Sequence, residues 1–237
     1  MDVNKKKPIP ITVIIPVLNE TGINGFLCDL VEQTGHQEIE IIVVDGDPEG
    51  STINRISRDH TTWPIIKKIT SPKGRALQQN AGAAVAHGDI LLFLHADTRL
   101  PPYFHGLIID TVEKGFSGGA FDLHIDSSHP LIKLISKIAS LRSRITRIPY
   151  GDQAIFLKRE LFHDIHGFDE IPLMEDIALM QKIKKSGAPF KILPQKVSTS
   201  ARRWRDQGIL WTMVRNPILA MLYYLGVPPR ILVKFYK

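Results

Sequence analysis

Four short apolar runs recur in the first hundred residues: Ile11–Val17, Ile39–Val44, Ile65–Ile69 and Ile90–Leu94. All but Ile90–Leu94 are rich in β-branched residues, and all but the weaker Ile65–Ile69 are nearly continuous rather than alternating. A run of this length is too short for a free-standing helix and offers no polar face to water. It reads as a strand buried on both sides of a parallel sheet. Helical spacing fills the gaps, over Gly22–Thr34, Thr52–His60 and Gly74–Ala86. Strand alternating with helix predicts an α/β fold with a mainly parallel sheet flanked by helices. With 237 residues, 43% of them hydrophobic, the chain can bury the core of one large domain, and disorder or a collagen-like repeat is excluded.

Beyond Leu100 the pattern changes. Tyr103–Lys114 reads as a helix, Gly118–Ile125 as a strand, Leu131–Arg147 as a basic amphipathic helix, Ala154–Leu157 as a strand and Met174–Ser186 as a helix. Lys5–Lys7 ahead of the apolar stretch Pro8–Leu18 has the outline of a leader. Three prolines interrupt that stretch, however, and Asn19-Glu20 stands where small residues would be needed, so a strand is expected there. No stretch reaches the ~18 apolar residues of a membrane span, and a cytoplasmic location is expected. Cys28 is the single cysteine; it excludes an internal disulfide and, between apolar neighbours, is expected to pack in the core.

In an open parallel sheet, ligands bind at the carboxyl ends of the strands. Asn19 and Glu20 follow the first run, Asp45, Gly46 and Asp47 the second, and His95, Ala96 and Asp97 the run Ile90–Leu94. Turn chemistry alone explains any one of these ends, but three together point to a site. No Gly-x-Gly-x-x-Gly follows the first strand and no Walker A sequence occurs, which argues against dinucleotide and P-loop sites.

The series Ile14-Ile15-Pro16-Val17-Leu18-Asn19-Glu20, Val43-Val44-Asp45-Gly46-Asp47, Gly74-Arg75-Ala76, Phe93-Leu94-His95-Ala96-Asp97, Gly167-Phe168-Asp169, Glu175-Asp176 and Arg202-Arg203-Trp204 resembles family 2 glycosyltransferases of the GT-A fold, in order and spacing, over roughly residues 10–205. The likeness is to a compact bacterial subgroup with a His-Ala-Asp form of the Asp-x-Asp motif. It implies a Rossmann-like GT-A domain over residues 1–205 and a helical tail over 206–237. The implied activity is inverting transfer of a sugar from a nucleotide sugar, most often UDP-linked, to an acceptor hydroxyl; the alternative is a sugar-nucleotide binder without turnover.

Carried over position by position, the resemblance implies that Pro16, Asn19, Glu20, Asp45 and Asp47 hold the nucleoside, with Lys73 and Arg75 at the nucleotide-contacting loop and helix. Asp97 would ligate Mn²⁺ or Mg²⁺, which bridges the diphosphate. His95 replaces the family's first acid; an imidazole can join the metal or hydrogen-bond a phosphate or sugar, next to Ala96. In Glu175-Asp176 the second residue would be the general base. Arg203 and Trp204 match the end of a Gln-x-x-Arg-Trp motif in which Ser200 stands in the Gln place, a departure that argues against a polymerising enzyme. Gly118, Gly119, Tyr150 and Gln153 are expected to line the acceptor cleft.

Charge is unevenly placed. From Lys196 to Lys237 eight basic residues face Asp206 alone, a balance of +7 against +6 for the whole chain. Apolar and aromatic residues are interleaved, and Gln207–Tyr236, broken by Arg215, Pro217, Pro228 and Pro229, reads as two surface helices. Such a tail suits an anionic membrane at the inner face of the cell membrane, the domain's own surface or a second subunit in a homodimer. Nucleic acid is not expected as a partner.

Overall fold

A computed structural model describes residues 10–35, 39–57 and 66–236. Lys5–Lys7, Ile65, Lys237 and the end of the expected helix Thr52–His60 lie outside these residues. Eight strands form one sheet: β1 (Ile11–Val17), β2 (Ile39–Asp45), β3 (Ile66–Thr70), β4 (Ile90–Phe93), β5 (Thr98–Arg99), β6 (Gly118–Asp126), β7 (Phe156–Lys158) and β8 (Phe190–Ser200). Their spatial order is β3-β2-β1-β4-β7-β6-β8-β5. Strands β3, β2, β1 and β4 are parallel, β7 is antiparallel to both neighbours, β6 and β8 are parallel, and β5 closes the edge antiparallel to β8.

The continuous apolar runs are explained by the two cores. In β1, Ile11, Val13, Ile15 and Val17 enter one cluster while Ile14 enters the other; in β4, Ile90 and Leu92 oppose Leu91 and Phe93. Helices α1 (Ile23–Thr34) and α3 (Phe104–Glu113) cover the first face, and α2 (Arg75–Ala84) and α6 (Glu175–Ser186) the second. The remaining helices are α4 (Pro130–Thr146), α5 (Arg159–Asp164), α7 (Arg202–Gln207), α8 (Ile209–Tyr224) and α9 (Pro229–Leu232). This is a mixed α/β sheet flanked by helices, with a helical tail, as the sequence predicts.

Two local expectations change. The helix expected from Thr52 is a single 3₁₀ turn, Ile53–Arg55, within the described residues. Cys28 is exposed, because the buried stripe of α1 is Ile23, Leu27, Leu30 and Thr34, and residue 28 falls off that face.

Helix α2 lies close to the sheet at Gly82. Alanine there would gain about 1 kcal/mol of helix propensity. Its Cβ, however, would stand 2.5 Å from Ile14 Cγ2 and 3.1 Å from Val44 Cγ2. Overpacking costs ~1–3 kcal/mol, so Gly82→Ala is expected to destabilise by up to about 2 kcal/mol in a urea melt. A stabilised variant would mean that α2 sits farther from the sheet.

Candidate active site

The carboxyl ends of the sheet strands meet α2, α6 and the tail at one pocket. His95 and Asp97 enter it from the turn after β4, and Arg75 from the first residue of α2. Tyr150, Gly151 and Asp152 come from the turn before β7, Asp176 from the first turn of α6, and Arg203 and Trp204 from α7. Residues far apart in sequence thus converge because strand ends and helix starts share one edge of the sheet.

Met174 precedes α6 in a left-handed conformation with φ of 68°, which sets Glu175 and Asp176 in the first turn. Asp176 Oδ1 accepts from the Ile177 N–H at 2.8 Å and Oδ2 from the Gly151 N–H at 2.8 Å. Two backbone donors fix this carboxylate at a helix N-terminus, where the dipole favours negative charge. Glu175 is 4% exposed and receives Arg75 Nε at 2.9 Å. Burial pushes its carboxyl up, opposed by the charge of Arg75.

Gly151 passes close to His95: a Cβ there would lie 3.1 Å from the imidazole Cε1 and Nε2. Burial first, and then the charge of Arg75, push His95 down to about 3, against the pull of Asp176. Its ring is therefore neutral near pH 7, as a metal ligand or single donor must be. Asp152 is pushed up to about 6, by burial and then by the negative charge of Asp176. Its Oδ1 is buried without a hydrogen-bond partner.

These two groups make opposite demands on stability. Between 3.8 and about 6 folded Asp152 holds a proton that the unfolded chain releases, so stability falls as pH rises through that window. Between 6.5 and about 3 unfolded His95 is protonated while the folded ring is not, so stability falls as pH drops through that window. In metal-free buffer, Asp152→Asn is expected to raise the melting temperature above pH 6 but not near pH 4, and His95→Gln to flatten the acid side, both read by scanning calorimetry. Parallel shifts at every pH would contradict this.

The nucleoside group expected from the sequence sits at the neighbouring corner. Asp45 is fully buried, and its carboxylate takes the N–H groups of Asp47, Thr52 and Ile53 at 3.1, 2.6 and 3.1 Å. It holds the 45–56 turn rather than facing solvent. Gln78 ties the same corner, giving its amide to Val17 O at 2.7 Å and Val44 O at 2.8 Å. Pro16 is half-buried, Asn19 and Lys73 are exposed, and Ala96 packs on the first core. Glu20 approaches Arg202 at 3.7 Å, which joins this corner to α7 and the pocket rim.

Gly118 and Gly119 lie in β6 against β7, where a Cβ would meet backbone or side chain at 2.5 Å; they let strands pack and do not line the pocket. Gln153 is fully buried and spends its amide on Phe121 O at 2.8 Å and Ser143 Oγ at 3.0 Å. Tyr150 does line the pocket, with the Arg142 guanidinium 3.3 Å over its ring. Sequence reasoning did not find Tyr236. Its hydroxyl lies 2.6 Å from Arg203 Nη1, and its ring lies 4.9 Å from the Arg215 guanidinium.

Among the described residues no three His, Cys, Asp or Glu side chains form a metal cluster. The donor set is Asp97, an exposed carboxylate, beside neutral His95. It suits a hard cation whose remaining ligands come from a bound phosphate rather than from protein.

The model of the family described as Glycosyl transferase family 2 matches residues 12–168. That span includes Arg75, His95 and Asp97 and stops short of Asp176. The fold is similar to the crystal structure of S. aureus TarS residues 1–349, with a TM-score of 0.64 and 16% identity. The alignment covers 88% of this chain and 65% of that one, so this chain spans less than two thirds of the TarS chain's length. Comparison with curated proteins finds no match.

Proposed function

The chain belongs to glycosyl transferase family 2, and on that premise we propose that it is an inverting glycosyltransferase that uses a nucleotide sugar, UDP-linked, and an acceptor hydroxyl. The observation that carries the reading is the convergence of two arginines, a carboxylate beside a neutral imidazole, and a backbone-held carboxylate on one pocket. Arg75 and Arg203 suit the donor's diphosphate, since a guanidinium offers paired donors to phosphate oxygens. Asp97 and His95 would hold Mn²⁺ or Mg²⁺, which when bound neutralises charge on the departing diphosphate.

Asp176 is the base. The acceptor oxygen attacks the anomeric carbon from the face opposite the diphosphate, and its proton passes to Asp176. The bond from the anomeric carbon to the diphosphate oxygen breaks, and the nucleoside diphosphate leaves with the electron pair. One displacement inverts the anomeric centre. The carboxylate's two backbone hydrogen bonds keep it in place for a hydroxyl approaching along the pocket. Glu20, Asn19 and the Asp45-organised turn would border the nucleoside, and the Trp204 ring, which lines the pocket, would stack on a sugar face. A cytoplasmic location belongs to the same proposal.

The test is release of nucleoside diphosphate from a panel of nucleotide sugars, with the anomeric configuration of the product read by NMR. Inverted product from one donor supports the reading. Tight donor binding with no turnover for any acceptor class would favour a sugar-nucleotide binder.

A further inference from the structure

Helices α4 and α8 each bury polar side chains beside a few apolar ones and turn a long apolar stripe outward. In α4, Ser136 and Ser143 are buried, and Ser136 and Ser140 accept from the Ile125 and Leu123 N–H groups at 3.0 Å each. Arg144 grips Asp122 through two contacts, at 3.0 and 2.6 Å. The polar stripe thus serves the edge of β6 beyond its short pairing with β7. The apolar stripe faces outward: Leu131, Leu134, Ile138, Leu141 and Ile145 follow one another at three- and four-residue steps, and Ile145 is 74% exposed.

In α8 the buried face holds Leu219 and Ala220 together with Thr212 and Arg215, the last 5% exposed with its guanidinium bonded to Gln207 Oε1 and Tyr236 O. Leu210, Trp211, Val214, Ile218, Met221 and Tyr224 are exposed. The two helices touch. Exposed apolar faces of this extent mark an interaction surface.

The charge around it selects the partner. Residues 127–147 carry Lys133, Lys137, Arg142, Arg144 and Arg147 with no acid, and α8 has no acid either. A second copy would set these cations against their own kind. We propose that the outward faces of α4 and α8 lie on an anionic phospholipid bilayer, apolar side chains in the interface and lysines at the headgroups. No helix among the described residues is long and apolar enough to cross a membrane, so the contact is peripheral. The pocket opens beside this face: Asn216, Leu219 and Ala220 of α8 line it, and Arg142 of α4 covers Tyr150. The acceptor is therefore a hydroxyl on a lipid-anchored molecule, an extension that rests on the transferase reading.

Co-sedimentation with phosphatidylcholine vesicles, with and without phosphatidylglycerol, tests the surface directly. Binding is expected to the anionic vesicles at low salt, and to weaken roughly tenfold or more on neutral vesicles or in high salt. Ile138→Glu with Ile145→Glu, both at exposed positions, should abolish binding while circular dichroism and the melting temperature stay unchanged. Lys133→Gln and Lys137→Gln should each weaken it roughly fivefold, about 1 kcal/mol per lysine. Absence of binding at low salt, indifference to the glutamates, or a stable dimer dissolved by the glutamates would overturn the proposal. Nucleotide affinity measured on the same protein separates the two readings. Nucleotide binding without vesicle binding removes only the membrane face, and the reverse removes only the transferase.

Discussion

Asp176→Asn is expected to reduce turnover at least ~10³-fold while nucleotide affinity changes by less than about threefold. The asparagine keeps the shape and one acceptor oxygen but has no lone pair of carboxylate basicity for the acceptor proton. It also turns an amide N–H₂ toward one of the two backbone donors now served, at Gly151 or Ile177, so a stability loss of about 1 kcal/mol should accompany it. A melting curve and a donor-turnover assay on one preparation separate these effects. If turnover survived, Asp176 would be a helix-capping acid only, and the base would have to be sought elsewhere in the pocket.

The second large effect is expected at Glu175. Removing one member of a buried ion pair strands the other, typically at a cost of about 3–5 kcal/mol. Arg75 keeps 35% side-chain exposure here against 5% for Glu175. Water therefore reaches the stranded guanidinium, and Glu175→Ala should lose less, about 2–3 kcal/mol in a denaturant melt. The freed Arg75 would lose its aim, and nucleotide affinity should fall roughly tenfold. Glu175→Gln keeps a hydrogen-bond acceptor without the charge and should fall between wild type and alanine in both measurements. Full wild-type affinity in Glu175→Ala would mean that Arg75 does not need this partner to meet a diphosphate.

The parts of the fold legible in sequence are those where burial is complete. Strands β1, β2 and β4 are continuous apolar runs because both faces are covered, and the pocket's His95 and Asp97 follow from strand-end positions, whereas Asp176 comes from the family resemblance. Strand β8 escaped because Lys191, Pro194, Gln195 and Lys196 interrupt it; half its positions are partly exposed, and its register with β6 shifts at Phe121/Asp122. Strand β5 has two residues and α5 six, too short for any periodicity.

Polar residues were harder to assign than apolar ones. Asp45, Gln78, Asn80 and Gln153 each serve backbone groups inside the fold. Asn80, for example, reads both the N–H and the carbonyl of Phe168, at 3.0 and 2.9 Å. A carboxyl or amide buried as a strut and one facing a ligand look alike in a sequence. Tyr236 was invisible for a different reason: its place among the arginines depends on how α8 and α9 return the chain to the pocket. Helix α4 was read as amphipathic, but spacing alone does not say which stripe faces inward.

The most direct measurement is calorimetric titration of UDP into the protein with Mn²⁺, with EDTA, and with Mn²⁺ in Asp97→Ala. The account predicts binding with Mn²⁺ and a loss of at least about tenfold both with EDTA and in the variant. GDP, CDP and dTDP run in parallel would bind more weakly. No heat and no saturation with any of the four nucleotides, in protein that melts cooperatively, would contradict the assignment of this pocket to a nucleotide-sugar donor.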